Sequence, residues 1–271
     1  MGMTNPQKVV SGEEVAPGSH EAEDRSPPRS LARRWWALGL LCVVNFMVVL
    51  DAQIVILAVP QIRSDLGFSP DGVQWVMSAY LLSFGGLLLL GGRVGDLVGR
   101  RRVFIWGAAL FGVSSLSCGL AWTPAALVVA RVAQGMSAAM MAPTALAILM
   151  TTFAEGAERN KALALWAGLG GLGATSALLL GGSLSDAFGW EAIFFLNVPI
   201  AALLLTASPL LLTESRSPGA GGYDPAGALA ITGALTLAIY LIVDTPGGAW
   251  TAAPSLLLAV TSGLLLVVFV W

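Results

Sequence analysis

Histidine occurs once in this chain, at His20, and cysteine twice, at Cys42 and Cys118. The histidine lies in a polar N-terminal stretch and both thiols lie inside long apolar runs, so no His/Cys set stands at metal-ligand spacing and no structural disulfide is expected. With no nucleophile set beside a base, enzymatic catalysis is the weakest of the functions to consider. Charge is also scarce. Only 11% of residues are charged while 56% are apolar, and the mean hydropathy is +0.79, which does not suit a water-soluble domain. No nucleic-acid partner and no cofactor are expected.

What the chain has instead is apolar length. Eight runs, at 36–59, 73–92, 103–121, 125–150, 162–184, 192–212, 226–243 and 254–271, are each long enough to cross a hydrocarbon core of about 30 Å at about 1.5 Å per residue. The fold class expected is all-α, a polytopic membrane helix bundle. Its orientation follows from the basic residues. With the N-terminus inside, Lys8, Arg25, Arg29, Arg33, Arg34, Arg93, Arg100, Arg101, Arg102, Arg159, Lys161 and Arg216 all fall on the inner side. Arg63 alone falls in an outer loop and Arg131 lies within a span, so the opposite topology breaks the positive-inside rule. The nine tryptophans sit near predicted span ends, Trp35, Trp36, Trp106, Trp166 and Trp271 inside and Trp75, Trp122, Trp190 and Trp250 outside, where an indole can face both lipid and water.

Residues 1–34 are polar and rich in Pro, Ser and Glu, which predicts a disordered cytoplasmic tail and not a signal peptide. A six-helix bundle is expected over 35–212, a Ser/Gly/Pro cytoplasmic linker over 213–225 and a hairpin of helices seven and eight over 226–271. The chain stops at Trp271 on an uninterrupted apolar run, which reads as truncation in helix eight.

Two ionisable residues fall inside spans. Asp51 lies on an outgoing first helix and Arg131 on an ingoing fourth, and at about 1.5 Å per residue their depths agree within about 6 Å. Ions at that depth face a bundle interior and pair. The pair could be a static bridge that fixes packing, or a carboxylate that takes and releases a proton as its surroundings change. Arg131, Gln134 and Gly135 share one helix face, continued by the small Ala138 and Ala139. Asn45, Gln53 and Gln74 could line the same cavity or serve helix-to-helix contacts. Between helices two and three, Gly91 to Arg102 sets an aspartate beside three arginines among glycines, more than an inner-face anchor requires. Gly168 to Gly173 matches the letters of a dinucleotide fingerprint, but inside an apolar span that match fails. Gly173, Ala177 and Gly181 instead recur every four residues as a helix-packing strip, with Gly182 adding local flexibility.

Four segments together resemble the major facilitator superfamily, and within it the fourteen-helix drug:proton antiporters. Gly92-Arg93-Val94-Gly95-Asp96-Leu97-Val98-Gly99-Arg100-Arg101 is similar to the superfamily's loop between helices two and three. Leu50 to Pro60, Leu127 to Gly135 and Gly189 to Pro199 are similar to the family's motifs in helices one, four and six. The resemblance implies alternating access around a central cavity, driven by the proton motive force. It makes Asp51 and Arg131 candidates for proton coupling, with Gln134 on the same face. It also implies that Asp96, Arg100 and Arg101 latch an inner gate against a C-terminal bundle that this chain lacks. The partners implied are the bilayer of the cell (inner) membrane and a small hydrophobic or cationic substrate. Two departures stand out: Ala177-Leu178 replaces Gly-Pro before Gly181-Gly182, and Glu191-Ala192 replaces Arg-Trp. The competing expectation is a transport-incompetent membrane fragment, inert or active only by association with another half.

Overall fold

A computed structural model of the chain describes residues 28–216, 225–244 and 253–270, and the regular structure of those residues is entirely α-helical. The helices are α1 (Pro28–Leu66), α2 (Trp75–Val98), α3 (Arg100–Gly119), α4 (Pro124–Thr152), α5 (Ala157–Phe188), α6 (Glu191–Phe195), α7 (Asn197–Leu211), α8 (Pro225–Asp244) and α9 (Ala253–Val270). The short α6 and α7 are two stretches of one membrane span, interrupted at Leu196. Six spans, 31–66, 75–98, 100–119, 124–152, 157–188 and 191–211, are long and apolar enough to cross a membrane. The apolar stretches of the last two helices, Ala230–Leu241 and Ser255–Val267, are shorter.

Several boundaries differ from the sequence expectation. The first helix begins at Pro28, so residues 28–34 of the expected tail are helical, while residues 1–27 lie outside the described part. Tertiary contacts hold this end of the helix. Arg34 Nε donates to the Thr152 carbonyl at 3.1 Å, its Nη2 reaches Glu158 at 3.3 Å, and the guanidinium lies 5.2 Å from the Phe153 ring centre. Helices α2 and α3 run on to Val98 and from Arg100, leaving Gly99 as the hinge where a loop over 93–102 was expected. Polar composition at a span end marks where the bilayer stops, and a helix can continue into water beyond it.

Most of the expected linker, 217–224, lies outside the described residues. The hairpin beyond it docks on the bundle. Gly86 lies directly under the Thr236 side chain, a Cβ on Gly85 would stand 2.6 Å from Ile239, and Trp75 and Tyr240 have ring centres 6.0 Å apart.

Within the bundle, α1 packs on α5, and α2 and α3 pack on α4. The strip on α5 faces α1: a Cβ on Gly173 would stand 2.6 Å from the Phe46 carbonyl oxygen, and one on Gly181 3.0 Å from that of Ile54. Gly182 does not share this role, since no atom lies within 4 Å of where its Cβ would be. One residue further along a helix turns the Cβ by about 100°, off the α1 face. Two tryptophans also depart from the interfacial pattern. Trp190 is buried, edge-on to Phe194, and Trp166 lines a cavity; by contrast Trp36 and Trp122 are 70% and 80% exposed.

The buried apolar residues form two clusters. One holds Leu41, Met47, Phe104, Phe111, Met141 and Leu204. The other holds Ile54, Val76, Leu127, Trp190, Ile193 and Phe194. On α1 the first cluster runs to Val48 and the second starts at Leu50; on α4 they part between Ala130 and Ala138.

Candidate functional site

Polar side chains from four spans meet in the seam between those clusters. Asp51 of α1, Ser115 of α3, Arg131 and Gln134 of α4 and Asn197 of α7 are all fully buried. Each comes from an otherwise apolar stretch, and an unpaired polar group there would cost several kcal/mol, so the seam collects them.

Asp51 is the centre of the network. Its Oδ2 accepts from Arg131 Nη1 at 2.7 Å. Its Oδ1 accepts from Gln134 Nε2 at 2.8 Å and from Asn197 Nδ2 at 2.7 Å. Arg131 is fixed in turn: Nε donates to the Val76 carbonyl at 2.9 Å, Nη1 also donates to Gln134 Oε1 at 2.7 Å, and the guanidinium carbon lies 4.3 Å from the centre of the Tyr80 ring. The Phe194 ring centre is 5.8 Å away. The Gln134 amide is oriented by its bond to Ser115 Oγ at 2.8 Å and by the Cys118 thiol 3.5 Å from its oxygen. Arg131 Nη2 and Asn197 Oδ1 are buried without a hydrogen-bond partner among the described residues. The charges balance, one carboxylate against one guanidinium.

A cavity of about 750 Å³ lies beside the seam. Its walls come from α1, α2, α4 and α5 and are mostly apolar, with Phe84 and Trp166 among them and Asn45 and Gln53 as polar groups. Arg93 and Asp96 line it as well. Asn45 serves both of the uses open to it, since it lines the cavity and its Nδ2 donates to the Trp166 carbonyl at 2.8 Å. Gln53 faces the cavity, whereas Gln74 is an exposed residue at the start of α2 and takes no part.

At the α2–α3 junction, Asp96 Oδ1 pairs with Arg100 Nε at 2.9 Å and Nη2 at 2.8 Å. Gly99 adopts φ +127°, a conformation that side chains disfavour, and a Cβ there would stand 2.7 Å from Glu214. The Glu214 carboxylate occupies the N-terminal end of α3, accepting from the Arg101 backbone N–H at 3.1 Å and lying 3.8 Å from Arg102 Nε. Asp96 is thus paired with Arg100, while Arg101 is engaged through its backbone to Glu214. A Cβ on Gly92 would only reach ordinary contact with Pro143 at 3.4 Å, while the tight approach of α2 to α4 falls to Gly91, pressed on the Ala139 carbonyl, and to Gly95, where a Cβ would stand 2.5 Å from Thr144.

Residues 41–271 match the family model described as Major Facilitator Superfamily. The chain belongs to that superfamily. Among curated relatives of this superfamily member, the puromycin resistance protein pur8 of Streptomyces alboniger is 41% identical over 237 residues, covering 88% of the chain and 47% of that protein. The cephamycin export protein CmcT of Amycolatopsis lactamdurans is 42% identical over 219 residues, covering 80% of the chain and 45% of that protein. The chain thus spans under half the length of these relatives. A crystal structure of the peptide transporter POT in complex with sulfate matches with a TM-score of 0.58 at 20% identity, over 81% of this chain and 48% of that one. At that identity the likeness shows the fold.

Within this superfamily member, Asp51, Arg131 and Gln134 come together as their spacing suggested. Asn197, Ser115 and Glu214 were missed. A lone Asn in an apolar run was a signal for the first. Serines are too common in these spans to single out Ser115, and Glu214 lies in what reads as linker.

Proposed function

We propose that this chain is the N-terminal half of a proton-coupled exporter of small hydrophobic or cationic compounds, working by alternating access with its N-terminus in the cytoplasm. The observation that carries the reading is Asp51: a carboxylate buried at mid-span, bound by donors on two other spans and set beside a large apolar cavity. Ionisable residues inside membrane spans are costly and mark proton and substrate paths, which favours this role over packing alone. The names of the relatives, a puromycin resistance protein and a cephamycin export protein, support efflux of organic compounds. The inner-side excess of Lys and Arg supports the orientation. The proton motive force supplies the energy, no cofactor is required and no bond of the substrate is made or broken. The Asp96–Arg100 pair and the backbone around Gly99 form the inner gate's half-latch, whose counterpart lies on a second bundle.

The test is ethidium accumulation in energised cells expressing the complete protein that contains this chain. The wild type lowers accumulation, and Asp51→Asn abolishes the effect at equal membrane abundance. Unchanged efflux in that variant would remove Asp51 from coupling. Residues 1–271 expressed alone test the competing reading, under which they give no efflux; efflux from them would mean that two copies can supply two bundles.

A further inference from the structure

Tyr80 occupies a position that neither the Asp51 network nor the cavity accounts for separately. It is 1% exposed, and it both lines the cavity and touches Arg131. Its ring centre is 4.3 Å from the guanidinium carbon, it stacks on the cavity residue Phe84 with centres 6.0 Å apart, and its hydroxyl reaches the Val48 carbonyl at 3.4 Å. The hydroxyl bond is long, so the ring is what the site uses.

The need for a ring here follows from charge balance. When Asp51 gains a proton, Arg131 keeps its charge in a site with no water-exposed atom and loses its one anion. The groups left facing it are the Val76 carbonyl, the Gln134 amide oxygen and the faces of Tyr80 and Phe194; the Cys118 thiol and Ser115 hydroxyl face Gln134. A desolvated cation over an aromatic face is stabilised by the ring's negative face, and Tyr80 is the nearer of the two rings. We infer that Tyr80 is the positioning residue that couples the cavity to the carboxylate: its ring holds Arg131 while Asp51 is protonated, and an aromatic organic cation entering the cavity against Tyr80 and Phe84 withdraws that support, so that Asp51 releases its proton to water and pairs with Arg131 again. The cation, seated on Phe84 beside the edge of Tyr80, repels Arg131 and draws on the electrons of the ring that faces it. Both effects favour the ionised carboxylate. The inference rests on the reading of Asp51 as the proton carrier and adds the residue that senses the substrate.

The experiment uses the complete purified protein in weakly buffered detergent, titrated with ethidium. Ethidium fluorescence counts bound dye and a pH-indicating dye counts released protons, so the readout is protons released per ethidium bound, independent of affinity. The ratio is expected to fall about fivefold in Tyr80→Met and to return in Tyr80→Phe, which keeps the ring. An unchanged ratio in Tyr80→Met overturns the inference and leaves the Asp51 reading standing. A wild type that binds ethidium without releasing protons, or an Asp51→Asn variant that still releases them, overturns both. Should Tyr80→Met not yield a monodisperse protein, ring-fluorinated phenylalanine at position 80 keeps the shape and weakens the negative face. The ratio must then fall with added fluorine, and a flat series overturns the inference.

Discussion

Arg131 is bound through its fork, with Nε on the Val76 carbonyl and Nη1 shared between Asp51 and Gln134. A lysine in its place would keep the charge but could not reach all three acceptors from one ammonium. Arg131→Lys is therefore expected to lose about 1–3 kcal/mol of stability, the cost of leaving a buried acceptor unpaired, and a thermal-unfolding midpoint indistinguishable from wild type would contradict this geometry. Arg131→Met should cost more, about 3–5 kcal/mol, because it strands the Asp51 charge. That Asp51 and Arg131 meet was legible in the sequence, since ionisable residues inside apolar runs are few and helical rise converts position into depth. Asn197 was harder. Pro199, without an N–H for the Phe195 carbonyl, marks the break at Leu196 that sets α7 apart from α6, but not how far the chain turns there, so the face Asn197 presents could not be counted from the span's start.

Small residues set how closely helices approach, and they do so in two places. On α5 the four-residue spacing of Gly173, Ala177 and Gly181 was visible as a strip, and it packs on α1 as such a strip should. On α2 the working residues, Gly91 and Gly95, were hidden in a segment whose composition reads as loop. Gly173→Val is expected to abolish monodisperse protein, because a Cβ 2.6 Å from the Phe46 carbonyl meets backbone that cannot move aside. Gly182→Val, with nothing within 4 Å, should be recovered at wild-type yield. Size-exclusion profiles of the two variants compare them directly, and equal profiles would mean that the α1–α5 contact is not tight.

The bundle as a whole follows from the pattern of apolar runs, and the orientation proposed for it rests on the basic residues. The docking of α8 on α2 did not follow, because Gly85, Gly86, Thr236 and Ile239 are distant in sequence and individually ordinary. Orientation can be checked by thiol labelling, since both native cysteines are buried and should give a low background. Asp71→Cys, at an exposed site between α1 and α2, should react with a membrane-impermeant maleimide on intact cells, and Glu155→Cys, between α4 and α5, only after permeabilisation. The reverse pattern would invert the topology.

The seam also constrains how the protein is made. Asp51 is separated from Arg131 by 80 residues and from Asn197 by 146. At a synthesis rate of about 5–20 residues per second, the first helix leaves the ribosome about 4–16 s before its counter-charge exists, and about 7–29 s before the last donor does. During that interval α1 carries a carboxylate into the membrane with nothing to bind it. The arrival of the fourth helix is thus expected to ease the release of the first into lipid, so that α1 and α4 gain by leaving for the bilayer together.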